Sequence, residues 1–231
     1  MSPNVKSLWV FGYGSLLWAP GFAFTDAVEG VVHGYARRFW QGNATHRGTP
    51  SQPGRVATLI EDMHENVWGV AYELCGEDAI AYLNNREVTL GGYVTKFSKF
   101  YPTVGGDPFP VLLYIATDES VHWLGRAPED EIAEQVVSCS GSSGHNVEYV
   151  LRLANYVRDH APDVRDEHLF TLEAFVRKRI AEKSLNLDLL MGPPVPKALP
   201  VSSPEDEETA AMPPLNFIDL MDNSKLRCLG I

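Results

Sequence analysis

The chain has little cysteine, no excess of positive charge and no long apolar run, and each shortage removes a class of function. Cys75, Cys139 and Cys228 are its three cysteines in 231 residues, widely spaced and without a CxxC pair. Neither a disulfide framework nor a cysteine zinc site is expected, and a reducing compartment, the cytosol, suits them. Nineteen Lys and Arg against thirty Asp and Glu give a formal net charge of −11. Nucleic acid and anionic membrane both demand a basic surface, so neither is expected as a partner. No stretch approaches the ~20 apolar residues that cross a bilayer, and residues 1–7 lack the apolar centre of a signal peptide. The seven histidines include no HxxxH or HExxH spacing, so no metal site is expected.

What is present is enough for one well-cored domain: 45% hydrophobic and 10% aromatic residues. Composition divides the chain into a short extension (1–7), a patterned domain (8–185) and a tail (186–231). Seven of the sixteen prolines lie from Pro193 onward, with the acidic run Glu205-Asp206-Glu207-Glu208. Such a segment buries too little apolar surface to offset its ordering entropy, so a disordered tail is expected, and its removal is expected to leave turnover nearly unchanged. Leu215-Asn216-Phe217-Ile218-Asp219-Leu220-Met221 within it is a candidate docking motif for a protein partner. Cys228-Leu229-Gly230-Ile231 places a cysteine as a prenylation box would, with glycine where an aliphatic residue belongs.

The domain reads as strands first and helices later. Residues 8–11 form a short apolar run ending in glycine. Val56-Ala57-Thr58-Leu59-Ile60 and residues 67–74 are β-rich and separated by a polar stretch, the pattern of a hairpin with a longer loop. Residues 93–101 and 111–116 form a second pair. A short helix is expected over 77–85. Pro128 before Glu129, Asp130 and Glu131 starts another helix, since proline suits the first helical position and acids the positive end of the dipole. Val147, Val150, Leu151, Ala154 and Val157 recur at helical spacing, and Asp166 opens a third helix through Leu169, Leu172, Val176 and Ile180. This order argues for an α+β fold with a curved or barrel-like sheet covered by helices.

Two features carry candidate chemistry. Phe11-Gly12-Tyr13-Gly14-Ser15-Leu16 is a strand running into a tight turn whose glycines bring N–H groups close to a ligand. Leu17 stands where a dinucleotide loop needs its third glycine, and Pro20 and Gly21 break the following helix, so that rival fails. The residues alone leave a structural turn and an anion cradle both open. Glu87 follows the short helix four residues after Leu83, which continues the buried face inward. The negative helix end and partial desolvation there raise a carboxyl pKa toward the range useful for proton transfer. A surface Glu paired with Arg86 is the plain alternative. Gly141-Ser142-Ser143-Gly144 is either a binding loop or a turn with Ser143 capping the next helix. Arg37, Arg38, Arg47 and Arg55, interleaved with aromatics, either meet a carboxylate or frame the sheet.

These residues together resemble the ChaC family of glutathione-specific γ-glutamylcyclotransferases. The resemblance rests on Trp9-Val10-Phe11-Gly12-Tyr13-Gly14-Ser15-Leu16, Arg37-Arg38-Phe39-Trp40-Gln41-Gly42, His46-Arg47-Gly48, Pro53-Gly54-Arg55-Val56, Trp68-Gly69-Val70-Ala71-Tyr72, Tyr82-Leu83-x-x-Arg86-Glu87, Gly91-Gly92-Tyr93, Leu124-Gly125-x-Ala127-Pro128, Ser143-Gly144-His145-Asn146-x-Glu148-Tyr149 and Asp166-Glu167-His168-Leu169. They occur in order over about residues 8–180. It implies a γ-glutamylcyclotransferase-like small mixed β-barrel with helices packed outside. It implies that Phe11, Gly12, Tyr13, Gly14, Ser15 and Leu16 hold the γ-glutamyl moiety, that Glu87 is the catalyst, and that no cofactor takes part. The implied reaction turns glutathione into 5-oxoproline and cysteinylglycine. The alternatives are a cyclotransferase for other γ-glutamyl amino acids or amines, and a non-catalytic binding protein.

Overall fold

The computed structural model describes residues 8–201, with residues 84, 86, 88–91 and 197 and the side chains of residues 77–79 excepted. The acidic run, the candidate docking motif, the C-terminal cysteine box and Arg86 therefore lie outside the described residues. Five strands close into a barrel in the order β1-β3-β2-β4-β5. They are β1 (Trp9–Gly12), β2 (Phe24–Asn43), β3 (Gly54–Leu74), β4 (Val94–Pro102) and β5 (Phe109–Ile115), with α1 (Gly76–Leu83) between β3 and β4. All neighbours are antiparallel except β1 and β5, whose parallel pairing at Val10 and Leu112 closes the ring. The barrel is thus mixed, as expected.

The expected hairpin between residues 56–60 and 67–74 is a correction. Both halves belong to one 21-residue strand, β3. Their partner is the 20-residue β2, which carries little alternation of its own. Its register with β3 slips between Phe24 and Asp26, between His33 and Tyr35 and between Arg38 and Gln41, so the side-chain period breaks three times. Between Glu61 and Asn66 four residues of β3 face only Gly34 of β2. The polar stretch that resembled a hairpin loop is this bulge.

Helices α2 (Glu129–Val136), α3 (Asn146–His160), α4 (Glu167–Glu182) and α5 (Leu187–Met191) follow, with a two-stranded hairpin, β6 (Ser140–Gly141) and β7 (Gly144–His145), before α3. Ser142 and Ser143 form its turn, and the cap of α3 is His145, whose Nδ1 accepts from Val147 N–H, rather than Ser143. Asp166 caps α4 through Leu169 N–H, and its other carboxylate oxygen takes a 2.7 Å ion pair from the buried Arg37 of β2. His168 accepts from Phe39 N–H and bonds Glu129 through Nδ1. The Asp166-Glu167-His168 motif therefore fastens α4 to the barrel and to α2. Ile132, Val136, Val150, Leu153, Val157, Leu169, Leu172 and Val176 fill the layer between helices and barrel, all fully buried.

The chain does not leave the domain at residue 186. Asn186 caps α5, Leu190 and Met191 pack against the core, and Val201 N–H donates to Phe24 O. The tail begins its run as a strap laid on the barrel.

Candidate active site

The slip between Arg38 and Gln41 leaves the Ala57 peptide of β3 without its ladder neighbour. A buried peptide needs partners, and two tyrosines supply them. Tyr149 of α3 accepts from Ala57 N–H at 3.1 Å, and Tyr93 donates to Ala57 O at 3.0 Å. Both rings are thereby fixed in the wall of a cavity of about 420 Å³. The same wall holds Ser15, Trp18, Asn43, His46, Arg47, Ser143 and Glu87.

Glu87 follows α1 in a wider helical turn and is half-buried. Its carbonyl accepts from Tyr93 N–H at 3.0 Å, which ties the turn to the start of β4. Three buried phenols feel the Glu87 charge. Tyr13 and Tyr114 are pushed up, first by burial and next by Glu87. Tyr149 is pushed to about 12, by burial first and then by Glu87. All three stay protonated at neutral pH and can offer a hydrogen bond without giving up the proton. Among the described residues no acceptor takes the Tyr149 hydroxyl proton, although its oxygen already receives the Ala57 N–H. Such a hydroxyl is a ready donor to a ligand in the cavity.

The glycine loop divides in role. Ser15 lines the cavity with Glu87. Phe11 and Leu16 are buried in the core, 1% and 7% exposed. Tyr13 donates to Tyr114 O. Gly12 lies beside the Leu16 and Tyr72 side chains. At Gly14 a Cβ would stand 2.8 Å from the Tyr149 hydroxyl, so glycine is what lets loop and phenol meet. Residues 15–17 form one helical turn, closed by Leu17 N–H donating to Gly14 O at 3.0 Å.

Of the four arginines only Arg47 reaches this cavity. Arg37 is held by Asp166 and Trp68 O, and Arg55 by Gln135, Phe39 O and Gly125 O. Arg38 lines a larger cleft of about 980 Å³ with Trp40, Glu129, Arg165 and Glu167, which contains neither Glu87 nor Ser15. Sequence reasoning missed the roles of Tyr93 and Tyr149, because the bulge at Ala57 that calls for them has no sequence signal. No cluster of His, Cys, Asp and Glu among the described residues could hold a metal ion.

The chain is similar to several known proteins. The family model described as ChaC-like protein matches residues 8–179. A human protein named glutathione-specific γ-glutamylcyclotransferase 1 is 52% identical over 168 residues, covering 71% of this chain and 76% of that relative. A fission yeast (Schizosaccharomyces pombe) protein named glutathione-specific γ-glutamylcyclotransferase is 35% identical over 200 residues, covering 78% of this chain and 97% of that one. A crystal structure of a yeast γ-glutamylcyclotransferase specific to glutathione superposes with a TM-score of 0.68 at 28% identity, covering 75% of this chain and 97% of that one.

Proposed function

Because the chain belongs to the ChaC-like family, we propose that it is a glutathione-specific γ-glutamylcyclotransferase, a carbon–nitrogen lyase with Glu87 as its proton carrier. The observation that carries the reading is the gathering of Glu87, Ser15, Tyr93 and Tyr149 around one cavity in a chain whose relatives bear that activity in their names. Residues 8–185 form the catalytic domain in this reading, with the strap that follows packed against them.

The substrate brings its own nucleophile. The γ-glutamyl α-amine of glutathione can reach the γ-carbonyl carbon and close a five-membered ring, so effective molarity is already high and the protein chiefly fixes geometry. Attack by the free amine forms the ring C–N bond and places negative charge on the carbonyl oxygen. The Tyr149 hydroxyl is the donor for that charge or for the α-carboxylate, with the glycine loop packed beside it. Glu87 takes the proton that the ring nitrogen sheds and delivers it to the departing amide nitrogen. The old C–N bond breaks, and 5-oxoproline and cysteinylglycine leave. Every proton is accounted for by substrate and Glu87, so the step calls for no cofactor.

The cytosol is the proposed location. In support, Cys75 and Cys139 are free thiols. No helix among the described residues is long and apolar enough to cross a membrane. The test of function is incubation of purified protein with glutathione and, separately, γ-glutamyl-alanine, with products identified by mass. The expected result is 5-oxoproline and cysteinylglycine from glutathione in clear preference. Faster release from γ-glutamyl-alanine would overturn the glutathione reading.

A further inference from the structure

We propose that Arg47 is the specificity-determining residue that receives the glycyl carboxylate of the substrate, a reading that rests on glutathione being that substrate. The argument begins with how tightly this guanidinium is set. Asn43 Oδ1 accepts from the backbone N–H groups of His46 and Arg47, at 2.7 and 2.8 Å, and fixes the loop after β2. Arg47 Nη1 donates to Glu148 Oε2 at 2.5 Å and to His145 O at 3.1 Å. A Cβ on Gly144 would stand 2.5 Å from that carboxylate oxygen and 3.1 Å from Nη1, and Gly144 has a φ of +111°. Both the space and the conformation there require glycine.

All of these side-chain bonds use Nη1. Among the described residues no acceptor takes Nε–H or Nη2, yet the side chain is 90% buried, with 10% exposure, and lines the cavity. An anchored guanidinium with its Nε–Nη2 edge unused presents two parallel donors, the geometry that takes a carboxylate in bidentate fashion. Charge agrees. Glu148 also accepts from Arg152 Nε at 2.8 Å, so two guanidiniums share one carboxylate and one positive charge is left over. Burial, with Arg47 as the second cause, pushes the neighbouring His145 down, so its ring adds no charge at neutral pH.

Glutathione carries two carboxylates, and position selects between them. Glu87, Tyr93 and Tyr149 surround the reacting bond in the proposed mechanism. Arg47, itself buried, enters the cavity from the loop after β2 beside half-buried His46 and Asn43, whereas Glu87 enters it from the turn after α1. A glycyl carboxylate paired with Arg47 therefore lies apart from the element that carries the proton carrier. Repulsion from Glu87 and attraction to Arg47 then orient the substrate along the cavity.

The strap enters the same network. Arg152 Nη2 donates to Met191 O at 3.0 Å and to Pro193 O at 2.7 Å, and Gly192 lies against Glu148. Residues after α5 thus help hold the carboxylate that holds Arg47.

The experiment compares glutathione with glutathione whose glycine carboxyl is a primary amide, on wild-type protein, Arg47→Gln and Arg47→Lys, measuring 5-oxoproline release. Amidation should lower wild-type kcat/KM about 10- to 100-fold, mainly through KM, as for loss of a charge-assisted pair. Arg47→Gln should lose as much on glutathione, and amidation should then cost that variant little more. Arg47→Lys, which keeps the charge without the fork, should fall between. Arg152 remains as partner to Glu148 in both variants, and the wild-type comparison decides even if a variant fails to fold. An amidation cost below about threefold on wild type, or an Arg47→Gln loss equal on both substrates, would overturn the proposal. Absence of 5-oxoproline from wild type and glutathione would instead remove the functional reading beneath it, before any variant is made.

Discussion

Replacing Tyr149 with Phe removes one oxygen and, by the account above, two unrelated functions. The first is structural. Ala57 N–H sits where the β2–β3 register slips, and the Tyr149 hydroxyl is its acceptor at 3.1 Å. Ala57 is 2% exposed, so water does not take over. An unsatisfied buried N–H costs about 1–3 kcal/mol. At roughly 2–4 °C per kcal/mol for a domain of this size, Tm should drop by several degrees. The second function is chemical. The hydroxyl proton has no acceptor among the described residues and faces the cavity that holds Glu87. Loss of one such donor to a developing oxyanion typically lowers kcat by about 10²–10³-fold. Thermal melting and steady-state 5-oxoproline release on the same preparation read the two effects apart. A lowered Tm with unchanged kcat would leave Tyr149 as a strand prop and refute its catalytic role. An unchanged Tm would refute the claim that Ala57 depends on it.

Asp166→Asn keeps an oxygen to cap α4 but strips the counter-charge from Arg37, which is 2% exposed. A stability loss of about 3–5 kcal/mol is expected in urea denaturation, as for a buried charge left unpaired. Burial raises the phenol pKa of Tyr13, Tyr72, Tyr114 and Tyr149, the last to about 12. The folded state keeps these protons after the unfolded chain starts to lose them, so stability should be full below about pH 10 and fall as pH climbs from 10 to 12, seen as a declining Tm. Truncation after Val201 should leave the KM for glutathione unchanged, whereas truncation after Leu185 should raise it, because only the second removes the strap from Arg152. Equal KM for both truncations would show that the strap does not bear on the cavity.

Helices α2, α3 and α4 were legible because their signals are local. Asp166 caps α4 as its position before an apolar stripe announces, and Pro128 with three following acids opens α2. The short strands β1, β4 and β5 were legible for the same reason. β2 was not. Its pairing depends on three slips of register with β3, each set by tertiary closure of the barrel and none marked by an alternating run. The chemistry divides likewise. Helical spacing after Leu83 left Glu87 open between a surface acid and a cavity residue, and the resemblance to the ChaC family, rather than the spacing, singled it out; it lines the cavity, and Gly14 lies against Tyr149, a partner the sequence did not name. Tyr93 and Tyr149 lie 56 residues apart in sequence and are brought together by their bonds to Ala57. The division of the arginines was equally hidden, since sequence proximity says nothing of which one a carboxylate already holds. The strap was misjudged because proline and acid content describe the later tail, while Asn186, Leu190 and Met191 carry their own cap and apolar contacts.

The central claim is that one carboxylate moves the proton in a reaction whose nucleophile the substrate supplies. Glu87→Gln keeps the size of the side chain and removes the proton carrier. With glutathione as substrate and 5-oxoproline as the measured product, turnover should fall about 10²–10⁴-fold while Tm and far-ultraviolet circular dichroism stay at wild-type values. A folded Glu87→Gln protein that releases 5-oxoproline at the wild-type rate would contradict the account.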